Sequence, residues 1–160
     1  MRWSLFPRGA WNMIDANRIA PKLWMGSRPP FGTRLHDAGF NIVVLCAKEW
    51  QPPRNEYPGI TVLRCPIDDD PEFLPPEDVE RAATMAAHLA KENARGKRIL
   101  VTCNLGMNRS GLVCALVLAG RYGVGGHAAM EQVRRQRKLP LPGMIPLANP
   151  QFVALLEKVA

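Results

Sequence analysis

Several features that would place this chain in a common class are scarce or missing. The four cysteines stand at positions 46, 65, 103 and 114, with no CxxC pair and no zinc-ligand spacing. No GxxxxGKS/T or GxGxxG motif occurs. These absences exclude zinc-finger and common nucleotide-loop proteins, and they favour a reduced, intracellular protein over a disulfide-bonded one.

Long apolar runs are also missing. The longest, at residues 112–119, is far shorter than a membrane-spanning helix requires. Residues 1–20 contain three arginines but no apolar core of a secretory signal. We therefore expect a cytoplasmic protein without a membrane partner.

The composition is that of one folded domain. The chain has 160 residues, of which 47% are hydrophobic and 22% charged. That length suffices for one full core and is too short for two comfortable ones. We expect an N-terminal arm at residues 1–15, a single domain at residues 16–160, and a monomer.

Positive charge is concentrated in the second half. The formal net charge is +7, and residues 94–160 contain ten Lys/Arg against two Glu. Such a field draws anionic substrates, although nucleic acid or a solvated helix face would explain it equally well. The cations of residues 134–138 are either ordinary helix C-terminal charges or a basic rim that selects acidic substrates.

Residues 98–113, RILVTCNLGMNRSGLV, organise the rest of the chain. Apolar β-favouring residues lead into Cys103, five residues separate it from Arg109, and an apolar helical run starts after Ser110. A loop between a strand and a helix N-terminus meets unsatisfied N–H groups and positive dipole charge. The stretch therefore predicts an anion site with a thiol at one end and a guanidinium at the other.

Each residue type in this loop suits phosphoryl transfer to sulfur. The helix field favours thiolate over thiol at Cys103, and the thiolate is the nucleophile. Gly106 permits a positive φ, so successive N–H groups can converge on one oxyanion. Arg109 can bind two oxygens as a fork, and Ser110 can assist departure of the thiolate.

The sequence Cys103 to Ser110 resembles the cysteine, five residues, arginine, serine/threonine loop (CX5R) of the cysteine-dependent protein tyrosine phosphatases. The short chain is most similar to their dual-specificity branch. The resemblance implies a metal-independent, cofactor-free hydrolase with a phosphocysteine intermediate. Phosphate would be held by Arg109 and by the backbone of Asn104, Leu105, Gly106, Met107 and Asn108.

One position departs from the family pattern. The family usually has histidine immediately before the cysteine, and this chain has Thr102. A threonine hydroxyl supplies one hydrogen bond but no positive charge, so the degree of Cys103 activation stays open.

The general acid is sought among three consecutive carboxylates, Asp68, Asp69 and Asp70. A solvated acidic turn is the alternative, and no calcium-loop glycine or glutamate follows at the required spacing. The family takes its acid from a loop some thirty residues before the cysteine. Asp69 matches best, with Asp68 and Asp70 as alternatives.

The element order predicts an α/β domain with a central, mostly parallel sheet flanked by helices. Strands are expected within 18–27 and at 41–46, 59–66 and 98–102. Helices are expected at 33–38, from 75 to 96, at 110–122, at 127–138, and after Asn149, which caps the last one.

The expected function is hydrolysis of phosphotyrosine and phosphoserine/threonine in proteins. One alternative is an RNA 5′-tri/diphosphatase, because GxNRSG at residues 106–111 also resembles the loop of those relatives. Another is a non-catalytic pseudophosphatase that only binds phosphorylated partners, which Thr102 motivates. Some relatives form a reversible disulfide in a Leu-Cys-Ala context, which implies Cys46 as a redox partner of Cys103.

Overall fold

The structure, a computed structural model, describes residues 14–160. Its five strands are β1 (Ala16–Ala20), β2 (Leu23–Gly26), β3 (Ile42–Ala47), β4 (Thr61–Ile67) and β5 (Ile99–Thr102). Its five helices are α1 (Arg34–Asp37), α2 (Pro76–Ala94), α3 (Arg109–Tyr122), α4 (Gly126–Gln136) and α5 (Pro150–Glu157). A 3-10 turn, Arg54–Glu56, lies between β3 and β4. The proposed arm lies outside the described residues except for Ile14 and Asp15.

The strands form one sheet in the order β1-β2-β5-β3-β4. Only β1 and β2 pair antiparallel, and the pairs β2–β5, β5–β3 and β3–β4 are parallel. This mixed, mostly parallel sheet confirms the predicted fold class. Because parallel strands end at the same edge, the residues that follow β3, β4 and β5 lie close together.

Helices cover the two faces of the sheet unequally. Four helices, α2 to α5, pack against one face of the sheet and share one apolar cluster with the strands. Each helix contributes buried residues to this cluster, for example Leu89, Leu112, Val133 and Phe152 in chain order. On the other face, α1 contributes Leu35 to a smaller cluster with Trp24, Phe40 and Tyr57.

Helix α3 is the central helix, as its nearly continuous apolar sequence predicts. Leu112, Val113, Val117 and Leu118 are fully buried. The helix ends at Gly123, whose φ of +68° is the left-handed conformation that glycine favours. Its N-terminus faces the end of β5, which places residues 103–108 between a strand end and a helix dipole.

Helix α4 is shorter than expected. It was predicted to run to Lys138 but ends at Gln136, and Arg137 has the extended angles φ −82° and ψ 120°. The helix stops because the Arg137 side chain turns inward, where the loop before α3 binds it.

Every helix in residues 14–160 is too short or too polar to span a lipid bilayer. The same part of the chain contains no group of three or more His, Cys, Asp or Glu side chains placed to hold a metal ion.

Candidate active site

Cys103 lies at the base of the loop between β5 and α3. It is buried, at 4% exposure, and its Sγ is 3.2 Å from Oγ of Ser110, which is completely buried. The Cys103 N–H donates to the carbonyl of Gly26 at 3.3 Å. Strand end and helix start thus bring the predicted nucleophile and the predicted hydroxyl into direct contact.

Arg109, the first residue of α3, is held by one nitrogen. Its Nη1 donates to both carboxylate oxygens of Glu49 and, at 3.2 Å, to the carbonyl of Ile67. Its Nε is buried and has no hydrogen-bond partner among residues 14–160. The guanidinium is therefore fixed on one side, and its Nε edge remains able to bind an oxyanion.

Charge pairing stabilises this arrangement. Burial lowers the pKa of Arg109, but hydrogen bonding to Glu49 and the charges of Cys103, Glu49 and Asp69 outweigh it and leave the pKa raised. In return, the hydrogen bond from Arg109 lowers the pKa of Glu49. The pair stays ionised near neutral pH.

The carbonyls of the loop are bound from outside the loop. The carbonyl of Leu105 accepts from Arg137 Nη2 at 2.8 Å and that of Gly106 from Arg137 Nε at 2.9 Å. The carbonyl of Met107 accepts from the Leu147 N–H at 3.0 Å, and that of Asn104 from the Arg28 N–H at 3.4 Å. In a trans peptide the C=O and the following N–H point in opposite directions. The N–H groups of residues 105–108 consequently point away from these partners, as an anion-binding nest requires.

Arg137 is the main support of this loop. Besides the two carbonyls, it donates from Nη1 to Asn17 Oδ1 at 3.0 Å and to Asp15 Oδ1 at 3.1 Å, and from Nη2 to Asp15 Oδ2 at 2.9 Å. All five of its N–H groups are thereby used, and its side chain is fully buried. The idea that it belongs to a basic rim is wrong, because it is a buried cation beneath the loop.

Glycine is required at position 106. Its φ is +66°, and a Cβ there would come within 2.5 Å of the Gly26 backbone and 2.7 Å of Arg137 Nη2. A larger residue would push the loop off both supports.

Of the three candidate acids, the structure brings only Asp69 to the loop. Its carboxylate accepts from Asn108 Nδ2 at 3.0 Å and from Asn149 Nδ2 at 2.8 Å. Asp68 instead accepts from Lys48 Nζ at 3.2 Å, and Asp70 Oδ1 accepts from the Glu72 N–H.

The Thr102 side chain binds a neighbouring strand and makes no hydrogen bond to residues 103–108, the loop that follows it. It is buried, and its hydroxyl donates to the Val44 carbonyl on β3 at 2.8 Å. The hydrogen bond joins two strands, and the loop carbonyls are bound by Arg137 and Leu147 instead.

The four cysteines carry free thiols. Since Leu45 pairs with Thr102, Cys46 and Cys103 follow at neighbouring strand ends. A hydrogen bond to Cys65 and burial both raise the pKa of the Cys46 thiol. A Cys46–Cys103 disulfide stays a prediction.

Sequence reasoning misses three residues of this arrangement: Glu49, the supporting role of Arg137, and the Asn149 amide. Glu49 follows β3 by two residues, and the shared edge of parallel strands was a signal for it. Asn149 was assigned its helix cap, which the structure confirms through the Gln151 N–H at 2.8 Å, but not its contact with Asp69. Arg137 gave no local signal, because its partners lie 31 to 122 positions away.

Comparison with known proteins points in one direction. Residues 23–149 match the family described as dual specificity phosphatase, catalytic domain. Human dual specificity phosphatase 28 is 33% identical over 145 residues, which cover 88% of this chain and 75% of the relative. The mouse protein of the same name is 31% identical over 130 residues, covering 79% of this chain and 76% of the relative.

Solved structures share the fold. A mouse putative dual specificity phosphatase complexed with zinc tungstate superposes with a TM-score of 0.71 at 28% identity, covering 89% of this chain and 84% of that one. Human dual specificity phosphatase 28 gives 0.67 at 26% identity, covering 89% and 90%.

Proposed function

The chain belongs to the dual-specificity phosphatase family, and on this premise we propose that Cys103 is its nucleophile and that catalysis proceeds through a phosphocysteine. The protein is a protein phosphatase, a hydrolase that acts on phosphoric monoesters of phosphorylated substrates. We propose below which residues perform the reaction and which substrates the protein accepts.

The observation that carries it is the state of Arg109. A buried N–H without a partner is costly in a folded protein unless a ligand satisfies it. Arg109 is the first residue of the helix that follows the loop, and the next residue is Ser110, whose hydroxyl contacts the Cys103 sulfur. The unpaired Nε therefore belongs to a residue at the same end of the loop as the proposed nucleophile's partner. A tetrahedral dianion bound there would satisfy Nε together with the N–H groups of the nest.

In the first step, the Cys103 thiolate attacks phosphorus, an S–P bond forms and the P–O bond to the leaving group breaks. Asp69 gives its proton to the leaving oxygen. Arg109 and the N–H groups of residues 104–109 bind the equatorial oxygens, where charge is spread in the transition state.

In the second step, water attacks phosphorus and Asp69 accepts a proton from it. The S–P bond breaks, and its electron pair returns to the Cys103 sulfur. The Ser110 hydroxyl, 3.2 Å from that sulfur, donates a hydrogen bond to the departing thiolate.

An aromatic surface supports the acceptance of aryl as well as alkyl phosphates. Arg28 Nε donates to Asn104 Oδ1 at 2.7 Å, and its guanidinium lies 5.0 Å from the centre of the Trp50 ring. The Phe31 ring stacks at 6.0 Å from Trp50 and is half exposed. The ring of a phosphotyrosine that extends from the bound phosphate toward Phe31 and Trp50 would gain apolar contact with them. The shorter side chain of phosphoserine or phosphothreonine can bind without this contact.

The RNA 5′-end alternative has less support. Arg137 is buried, and Arg134 donates to the carbonyls of Pro146 and Leu147 at 3.1 and 2.8 Å. Two cations that would line a polyanion site are thus engaged within the protein. The pseudophosphatase alternative rests on Thr102, and the loop supports from Arg137 and Leu147 weigh against it.

The remaining expectations are also proposals. We propose a monomeric, cytoplasmic protein whose catalytic domain spans residues 16–160. Four free thiols are consistent with a reducing compartment. Ile14 is buried in the smaller cluster and Asp15 binds Arg137, so the end of the arm packs on the domain.

The test is hydrolysis of phosphotyrosine and phosphothreonine peptides and of RNA 5′-triphosphate in excess EDTA, with wild type beside Cys103→Ser. We expect peptide turnover in wild type and none in the serine variant. A preference for RNA ends would replace the protein substrate, and phosphopeptide binding without turnover would favour the pseudophosphatase.

A further inference from the structure

We propose that Asn108 and Asn149 form a carboxamide clamp, with Asn149 as the positioning residue for proton transfer. The clamp fixes the acidic segment, residues 68–70, against the phosphate loop, residues 103–108 between β5 and α3. This inference rests on the proposed function, because it assigns a purpose to contacts of the proposed acid. In this proposal both carboxamides act on the reaction through Asp69.

Asn149 joins three parts of the chain. Its Nδ2 donates to Asp69 Oδ1 at 2.8 Å and to the Asp70 carbonyl at 3.1 Å. Its Oδ1 accepts from the Gln151 N–H at 2.8 Å, which caps α5. Asn149 is only 4% exposed, whereas Asp69 is exposed. A buried, rigid amide therefore holds an exposed carboxylate.

Asn108 makes the matching contact from the phosphate loop. Its Nδ2 donates to Asp69 Oδ2 at 3.0 Å, and its Oδ1 accepts from the N–H groups of Ala148 and Asn149 at 2.8 and 3.1 Å. In both asparagines the oxygen is occupied by backbone donors. The amide orientation is thereby fixed, and NH₂ must face the carboxylate.

The backbone before Asn149 is bent to make this possible. Leu147 has a φ of +59°, which costs energy for a residue with a branched side chain, and it is completely buried. This turn aims three successive N–H groups, of residues 147–149, at Met107 and Asn108. Strain at this position is consistent with a segment that serves the site rather than only the fold.

The clamp matters for the part of the reaction that needs a proton. A leaving alkoxide or phenoxide must be protonated as the P–O bond breaks, and proton transfer requires the donor within hydrogen-bond reach. The two carboxamides are uncharged, so they fix the position of the Asp69 side chain without placing another ionised group beside it. A leaving group of low basicity departs without a proton, so the first step with such a substrate does not depend on the clamp.

The experiment is a leaving-group series on full-length protein, from 2,4-dinitrophenyl phosphate to phenyl phosphate. Asn149→Asp keeps the helix cap, since Asp caps as well as Asn, but sets a carboxylate against Asp69. Asn149→Ser keeps a capping oxygen and removes the amide donors. Gln151→Glu is the matched control, because it adds the same charge two residues along without touching Asp69.

We expect kcat/KM for phenyl phosphate, which reports the steps up to formation of the phosphocysteine, to fall about 10- to 100-fold in Asn149→Asp and by a smaller factor in Asn149→Ser. A full general acid typically contributes about 10²- to 10⁴-fold. For 2,4-dinitrophenyl phosphate we expect less than about a threefold change in kcat/KM in both variants. Gln151→Glu should follow wild type across the series. If the Asn149 variants lose kcat/KM equally for all leaving groups, Asn149 has only a structural role. That result would contradict the proposed clamp.

Asp69→Asn separates this inference from its premise. Selective loss on phenyl phosphate in Asp69→Asn but not in Asn149→Asp would overturn the clamp and leave the acid assignment standing. Absence of selective loss in Asp69→Asn would overturn the acid assignment itself, and the clamp with it.

Discussion

Two buried arginines, Arg137 and Arg109, adjoin the phosphate loop. They differ in whether all of their N–H groups have hydrogen-bond partners in the protein. Arg137, below the loop, uses all five N–H groups on Asp15, Asn17 and two loop carbonyls. Arg109, at the start of α3, is held through Nη1 by Glu49 and Ile67, and its buried Nε has no partner among residues 14–160.

The difference assigns the two residues to different tasks. A cation whose donors are all satisfied by the protein stabilises one conformation of the loop. A cation with a buried donor left over is stabilised further when an anion arrives. We therefore propose that Arg137 supports the loop and that Arg109 binds the anion.

Arg109→Lys should give the largest effect. Lysine keeps a positive charge near Glu49 but cannot offer a planar pair of donors to a phosphoryl group. We expect kcat/KM for an aryl phosphate to fall about 10²- to 10³-fold, with the thermal unfolding midpoint nearly unchanged. If activity stays within tenfold of wild type, Arg109 is not the phosphate ligand.

Arg137→Met should affect stability and activity together. It leaves the Leu105 and Gly106 carbonyls without donors, removes one of the two donors to Asn17 Oδ1, and removes the ion pair of Arg137 with the partly exposed Asp15. We expect a loss of about 2–4 kcal/mol in the free energy of unfolding, and about tenfold weaker inhibition by tungstate, a tetrahedral oxyanion. Urea titration and inhibition assays measure the two.

Arg137→Lys is the milder companion, in case the methionine variant does not fold. Loss of stability with unchanged tungstate inhibition would show that Arg137 supports the fold but does not shape the anion site.

Glu49→Gln should give the smallest effect, visible in its dependence on pH. The hydrogen bond from Arg109 lowers the pKa of Glu49, so the stability from this pair is complete above the ordinary carboxyl pKa. It is lost as pH falls through the lowered value. We expect wild type to exceed the variant by under about 1 kcal/mol at neutral pH, since Glu49 is half exposed, and the gap to close in acid. A gap that widens in acid would contradict the pairing.

Local patterns predicted the elements that carry the site. The apolar runs of β3 and β5, the glycine stops and the Asn149 cap were readable because each depends on neighbours in sequence. The spacing from Cys103 to Ser110 predicted a loop at a helix N-terminus, and the Sγ to Oγ contact lies where that spacing puts it.

Local patterns did not separate Asp68, Asp69 and Asp70, and only the family resemblance favoured Asp69. The choice among them depends on Asn149, eighty positions later, whose amide reaches only one of the three carboxylates. Arg137 was likewise not predictable from its sequence neighbours. Residues 134–138 contain four cations in five positions, and nothing local distinguishes Arg137 from the others. The fold buries Arg137, whereas its neighbour Lys138 is exposed.

The most direct test of the account is capture of the covalent intermediate. Wild type and Cys103→Ser would be mixed with an aryl phosphate labelled in the phosphoryl group, quenched in acid within the first turnover, and digested for peptide analysis. The account predicts label on the peptide that contains Cys103 in wild type and none in the serine variant. Turnover by wild type with no labelled peptide, or with label at another residue, would contradict it.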